Sequence, residues 1–413
     1  MKPLQIALLT GAADQPYAFG LTKALASSGL SLDVIAGDEL DCDELRADPA
    51  VNFLNLRGNQ DSNVGSFAKI RRVLVYYRRL LTYALSARPK IFHVLWNNKF
   101  ETFDRTVLML YYKALGKRIV LTVHNVNAGR RDSSDSTWNR YTLRCQYLLA
   151  DHIFVHTDKM KHEMVSAFRI PQSKVTVIPF GINNAAPHTS LTPDEAKARL
   201  GLDSGEKTIL FFGNIAPYKG LEYLVEAFAQ LSSAHSDFRL LIVGRPRNGS
   251  EQYWEGIRER LGSMDTSRIT QRIEFVPDAE TELYFKAADV LVLPYTEIFQ
   301  SGVLILGYSF GLPTIVADVG SLRDDVREGQ TGFVCKPWDS IDLARALRQY
   351  FASDLYRELG VRRAAIRQYA LEHHSWEAVG TMTNAVYAGL IDPERRSVAC
   401  DGNQSHSLRK TPS

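Results

Sequence analysis

The run from Asp289 to Asp318 reads Asp-Val-Leu-Val-Leu-Pro-Tyr-Thr-Glu-Ile-Phe-Gln-Ser-Gly-Val-Leu-Ile-Leu-Gly-Tyr-Ser-Phe-Gly-Leu-Pro-Thr-Ile-Val-Ala-Asp. A short apolar strand gives way to a polar loop, then an apolar helix, then a second strand. Gln300, Ser301 and Gly302 fall where loop becomes helix, Ser301 is the expected N-cap, Gly311 the expected C′ residue, and Pro313 follows at once. A helix start beside a glycine offers free backbone N–H groups to an anion, and a diphosphate fits that description.

Working outward, short β-rich runs alternate with longer amphipathic stretches, the pattern of parallel sheets flanked by helices. Strands are expected at 6–10, 31–36, 91–95, 118–123, 153–156 and 175–179 in the first half, and at 208–213, 239–243, 273–276, 290–294, 314–317 and 332–334 in the second. The segment 183–190 has linker composition. After it comes a capped helix start, with Thr192 as N-cap, Pro193 at N1 and Glu195 at N3. The resulting division is a first domain at 1–185, a second at 192–375, a C-terminal helix at 376–392 and a polar, aperiodic tail at 393–413 expected to be disordered.

Two blocks carry a family resemblance. Pro294-Tyr295 through Gln300-Ser301-Gly302-Val303 to Gly311-Leu312-Pro313 resembles the donor-site signature of glycosyltransferase family 4 in a Gln-Ser-Gly-Val form. Phe211-Phe212-Gly213-Asn214-Ile215-Ala216-Pro217-Tyr218-Lys219-Gly220-Leu221-Glu222 resembles the strand-turn-helix of that family that carries a phosphate-binding lysine. Thr122-Val123-His124-Asn125, Val177-Ile178-Pro179-Phe180-Gly181 and Trp376 agree, so the resemblance covers roughly residues 4 to 390. It implies an α/β protein of two Rossmann-like domains facing across a cleft, the B-type glycosyltransferase fold. The second domain would hold a nucleotide diphosphate sugar, and the first would hold the acceptor and close over the sugar. The expected reaction moves the sugar to a hydroxyl of a glycan or lipid-linked saccharide, with retention of configuration. The nucleotide sugar is then a co-substrate, and no cofactor or metal is implied.

Individual residues follow from the two readings together. Lys219 sits in a turn with no competing carboxylate, where its ammonium can neutralise charge building on a departing diphosphate; the competing reading is a solvated turn lysine. The family's arginine after the strand glycine Gly213 is Asn214 here, and Arg245, after Val243-Gly244, is a candidate substitute. The family's two donor-flanking glutamates correspond to Ile298 and Leu306, with Glu297 one residue early. The diphosphate site at Gln300, Ser301, Gly302 and Val303 does not depend on those acids. His124 ends a predicted strand, where open α/β sheets place their ligands, and in the family a histidine there faces the donor sugar. Asn125, Asn127, Gly11 and Tyr17 are candidates on the acceptor side; His93, His152, His156 and His162 read as structural or surface residues.

Composition sets outer bounds. Lys+Arg 49 against Asp+Glu 46 leaves only +3, which argues neither for nor against nucleic acid; no recognition motif accompanies the basic run at 69–90, so no nucleic-acid partner is expected. Four cysteines without metal-like spacing fit a reducing cytoplasm, and no run of about 20 apolar residues spans a membrane. Residues 69–90 nevertheless carry seven basic side chains, no acidic one, and interleaved tyrosines and aliphatics. Such a segment can lie on an anionic membrane at its inner face, or be an ordinary sheet-covering helix. Two other functions share the fold: a nucleotide-sugar epimerase, and a nucleotide-sugar-binding homologue without catalysis, which Ile298 and Leu306 favour. Dinucleotide oxidoreduction is disfavoured, because no Gly-x-Gly-x-x-Gly follows the first strand.

Overall fold

The computed structural model describes residues 3–11, 14–60, 65–132, 134–182 and 186–392. The tail at 393–413, Ala12 and Ala13 of the first loop, and the opening of the 183–190 linker lie outside the described residues. The chain divides into two compact units, residues 1–181 with 376–413, and residues 182–375.

Unit 1 is a seven-stranded parallel sheet of order β3-β2-β1-β4-β5-β6-β7. Its strands are β1 (Gln5–Leu9), β2 (Ser31–Ala36), β3 (Val51–Asn55), β4 (Ile91–Val94), β5 (Arg118–Thr122), β6 (His152–Val155) and β7 (Val175–Val177). β1 pairs with β4 from Ile6↔Ile91 to Leu9↔Val94, so the strand order reverses between these two strands. Ligands of doubly wound sheets gather beyond the carboxyl ends at such a reversal. Buried Ile6, Leu8, Leu32, Val34 and Ile91 make the core, and the helix Trp376–Ile391 completes it with Val379 and Tyr387. The Tyr387 hydroxyl lies 2.6 Å from Nδ1 of buried His93, whose Nε2 lies 2.7 Å from the Thr122 hydroxyl. Trp376 stands edge-on to Tyr17 and so close to Gly20 that a Cβ there would fall 2.2 Å from the indole.

Unit 2 holds a six-stranded parallel sheet of order β10-β9-β8-β11-β12-β13: β8 (Lys207–Phe212), β9 (Phe238–Val243), β10 (Ile269–Arg272), β11 (Val290–Leu293), β12 (Thr314–Ala317) and β13 (Gly332–Cys335). Here the order reverses between β8 and β11. Asp289 fixes the start of β11: its carboxylate accepts from Lys197 Nζ at 2.9 Å and from the Thr208 N–H at 2.8 Å. The helix Pro193–Arg199 begins with the expected capping box between Thr192 and Glu195.

Two strands depart from the sequence reading. The strand expected at 273–276 lies instead at Ile269–Arg272, and Val51–Asn55 was not anticipated. Both are edge strands. One side of an edge strand meets solvent, so Thr270, Gln271, Asn52 and Asn55 are tolerated, and hydrophobicity no longer marks the pairing residues. The apolar pull of Ile273, Phe275 and Val276 misleads; Phe275 is exposed.

Candidate functional site

In unit 2 the loops after β8 and β11 meet. Gly220 has φ +63° and packs on the end of β11, where a Cβ would stand 2.0 Å from the Pro294 carbonyl oxygen; only glycine permits this approach. Gly213 faces Val303, a Cβ on it lying 3.5 Å from Val303 Cγ2. The turn Pro217–Lys219 therefore lies against the β11 loop, and buried Lys219 donates from Nζ to the Tyr295 hydroxyl at 2.5 Å while lying 4.0 Å above the Tyr295 ring centre. Ser301 Oγ donates to the same hydroxyl at 3.4 Å. Tyr295 thus joins the two quoted blocks, with burial pushing its phenol up from its ordinary range.

The helix Gly302–Ser309 has Ser301 at the N-cap position with extended backbone, φ −125° and ψ 115°. The expected side-chain cap is absent, because Ser301 Oγ is turned to Tyr295. Its carbonyl accepts from Leu304 and Ile305, and the N–H groups of Gly302 and Val303 have no acceptor among the described residues. An anion there would gain direct hydrogen bonds of about 1.5–3 kcal/mol each, against about 0.3–1 kcal/mol from the helix dipole. The bonds decide. At its other end the helix closes as foreseen, with Gly311 at φ +67° and Leu312 N–H bonded to Gly307 O. Gln300 Oε1 is shielded and without a partner among the described residues. Asn214, Arg245 and Glu297 are exposed, and the Arg245 guanidinium lies 5.3 Å from the Phe275 ring centre, outside the Lys219–Tyr295–Ser301 chain. Leu306 is buried within the helix.

In unit 1, His124 follows β5 and stacks on Trp96 with centroids 4.1 Å apart and planes 5° from parallel. Tyr17 stands edge-on to it at 4.7 Å. His156 completes the arrangement: its Nε2 lies 3.2 Å from His124 Nδ1, and its Nδ1 lies 3.3 Å from the Ile178 carbonyl oxygen. A carbonyl only accepts, so Nδ1 of His156 carries the proton. Its Nε2 then accepts from His124 Nδ1–H, leaving a bare lone pair on His124 Nε2, which is shielded and has no partner among the described residues. Burial, with the neighbouring His156 and His93, pushes His124 well below the usual histidine range, and burial holds His156 at about 4. Both rings are neutral at pH 7, so the proton order is fixed.

The acceptor-side candidates divide. Asn125 lines a cavity of about 790 Å³ in unit 1, as does His124. Asn127 is buried, its Oδ1 accepting from Asn139 Nδ2 at 2.9 Å. Tyr17, expected at the acceptor, is 2 % exposed and supports His124 from behind. Gly11, at φ +65°, brings its backbone against Trp96, where a Cβ would fall 2.6 Å from Trp96 Cβ. His156 and Tyr295 are the residues the sequence reading passed over. Only the position of each, just beyond the carboxyl end of its own strand, hinted at them.

Comparison with known proteins bears on the family and the fold. A family profile described as Glycosyltransferase Family 4 matches residues 15–185, and one described as Glycosyl transferases group 1 matches residues 206–353. This chain belongs to glycosyltransferase family 4. The D-inositol 3-phosphate glycosyltransferase of Streptomyces avermitilis is 32% identical over 259 residues, covering 60% of this chain and 54% of that protein. The chain thus spans about half the length of that curated relative. Among solved structures, sucrose-phosphate synthase from Thermosynechococcus elongatus superposes with a TM-score of 0.74 at 20% identity, over 94% of this chain and 99% of that one. Anabaena HepE, in complex with UDP and glucose, gives 0.72 at 15% identity over 94% and 100%. These likenesses are of fold, and two Rossmann-like units are the B-type glycosyltransferase fold.

Proposed function

We propose that this family 4 glycosyltransferase moves a sugar from a nucleotide diphosphate sugar to an acceptor hydroxyl, with retention of configuration. One observation carries the reading: at the strand reversal of unit 2, the N–H groups of Gly302 and Val303 stand without acceptors, beside a buried ammonium linked to the same loop through Tyr295. The bond from anomeric carbon to diphosphate oxygen breaks with its electron pair on the oxygen. The acceptor oxygen bonds to that carbon, and its proton leaves on the diphosphate. Lys219 and the two N–H groups stabilise the charge the diphosphate gains, without a metal ion. His124 Nε2, a fixed acceptor, takes a hydrogen bond from a sugar hydroxyl.

A thermal-shift screen of nucleotide sugars tests this, since a ligand at about 100 times its dissociation constant adds roughly 2.7 kcal/mol. Transfer should then follow with the stabilising donor and survive a chelator. Epimerised donor without acceptor would instead indicate an epimerase, and donor binding with neither transfer nor hydrolysis an inactive homologue.

A second reading concerns location. On the helix Ser66–Ser86, Phe67, Ile70 and Leu74 recur at helical spacing and are exposed, Phe67 by 82%, with Arg71 and Arg78 interleaved. No helix among the described residues is long and apolar enough to cross a membrane. A surface of this kind suits peripheral contact with an anionic bilayer at its cytoplasmic face, where a lipid-linked acceptor would reside.

A further inference from the structure

We infer that the cavity of unit 1 binds an acceptor carrying a phosphate group, with Arg57 as its principal anchor; the inference rests on the transfer reading above and names the acceptor's class. Six cationic side chains line this cavity, Arg57, Lys69, Arg72, Lys99, Arg105 and Arg131, against one carboxylate, Glu101. Glu101 is taken by Arg105, and Arg131 is paired with Asp132 at 2.8 Å. Lys69 and Lys99 have no ion pair among the described residues.

Arg57 differs from the others in leaving two guanidinium positions unused: Arg105 has Nε alone in that state, and Arg72 gives its Nη1 to the Asn59 carbonyl at 2.9 Å. Its guanidinium lies 5.3 Å from the Tyr76 ring centre, and its Nε and Nη1 are shielded from solvent with no hydrogen-bond partner among the described residues. Shielded guanidinium N–H groups without acceptors cost stability in the free protein. A phosphate oxygen satisfies them with charge-assisted bonds, for which the planar guanidinium is well shaped. Lys69 and Arg72 reach the same cavity from the helix Ser66–Ser86, at the spacing that also brings Tyr76 and Tyr77 to it. His124, Asn125 and stacked Trp96 line the same cavity. One wall therefore offers cations, and another offers the surfaces that hold a sugar and its hydroxyl. The volume, about 790 Å³, lies within the range of sites for small molecules, roughly 300–1,000 Å³.

The phosphate can belong to a free sugar phosphate or to a lipid-linked sugar diphosphate, and two arms of one experiment separate them. In the first, the full chain is titrated calorimetrically with glucose 6-phosphate and with glucose, while UDP, ADP and GDP together fill the donor site. In the second, its flotation with phosphatidylcholine vesicles is compared with and without undecaprenyl diphosphate. Arg57→Gln and, at the exposed rim, Lys99→Gln are measured beside the wild type. The expected result is binding of the phosphorylated probe in one arm, weakened roughly tenfold or more by Arg57→Gln, with nucleotide affinity unchanged and thermal stability equal to or above wild type. A positive first arm identifies the soluble source, and a positive second arm alone the lipid-linked one. Glucose binding as tightly as glucose 6-phosphate, vesicle binding retained by Arg57→Gln, or no binding in either arm overturns the assignment. If none of the nucleotides binds but glucose 6-phosphate does, the transfer reading fails and the cavity assignment stands.

Discussion

The two strand reversals solve opposite problems with opposite materials. In unit 2 the proposed anion site is backbone: N–H groups of Gly302 and Val303, with one side chain, Lys219, held against it through Tyr295. In unit 1 the proposed sugar-facing site is side chain: a stack of Trp96 on His124, backed by Tyr17 and oriented by His156. A diphosphate asks only for positive potential and donors, which backbone supplies wherever a helix starts. A directed lone pair asks for a known tautomer, which requires a chain of hydrogen bonds ending on a carbonyl. Unit 2 should therefore be sensitive to backbone and charge, and unit 1 to the identity of rings.

The largest effects are expected in unit 2. Lys219→Ala should lower turnover by on the order of 100-fold, and Gly302→Val should weaken nucleoside diphosphate binding severely by blocking close approach, while Glu297→Gln changes it little. Calorimetric binding and steady-state rates check both; loss of binding in Glu297→Gln with tolerance of Gly302→Val would move the diphosphate to the other end of the loop.

In unit 1, His156→Leu should lower turnover by roughly tenfold and raise the pH at which activity falls on the acid side. Without His156, the His124 ring loses a neighbour that disfavours its protonation, and its tautomer is no longer fixed. An unchanged pH profile would reduce His156 to a packing residue.

A further contrast appears in acid. His93 and His156 are held at about 3 and about 4 by burial, whereas an unfolded histidine titrates near pH 6.5. Below that value the unfolded chain binds more protons than unit 1 does, so the stability these groups contribute is complete above pH 6.5 and declines as pH falls from there toward 3. Amide protection, measured against the intrinsic exchange rate at the same pH, should fall at pH 5 in β4 and β6, which carry His93 and His152, before it falls in β8 and β11, which carry no histidine. An equal fall in both sheets would end the contrast. The smallest effect is flotation with anionic vesicles, which should weaken with salt and with Phe67→Ser; a chain that stays soluble at low salt has only a solvated helix there.

The sheets were legible wherever strands lie inside them, because buried parallel strands are continuous apolar runs. Of the four edge strands β7 and β13 were legible but β3 and β10 were not, since solvent on one side relaxes that demand and Asn52, Asn55, Thr270 and Gln271 take the place of apolar residues. The loop with Gln300, Ser301 and Gly302 was legible through helix start and stop signals, yet the turn of Ser301 Oγ toward Tyr295 was not: local propensity sees a free hydroxyl, and the competing phenol comes from tertiary contact. His156 was hidden for a related reason. Its 32 residues from His124 carry no periodic signal, and two histidines at the ends of β5 and β6 become neighbours only once those strands pair.

The helix Trp376–Ile391 supplies Val379 and Tyr387 to the interior of unit 1, so unit 1 is assembled from both ends of a chain with unit 2 inserted between them. On the ribosome this reverses the usual order, in which the N-terminal domain folds first. The strands β1 to β7 emerge early but must wait through nearly 200 further residues for Trp376 to reach Tyr17, whereas unit 2 is contiguous and can close as soon as it has left the exit tunnel. A nascent chain stalled just after unit 2 should present a folded second half and a protease-sensitive first half.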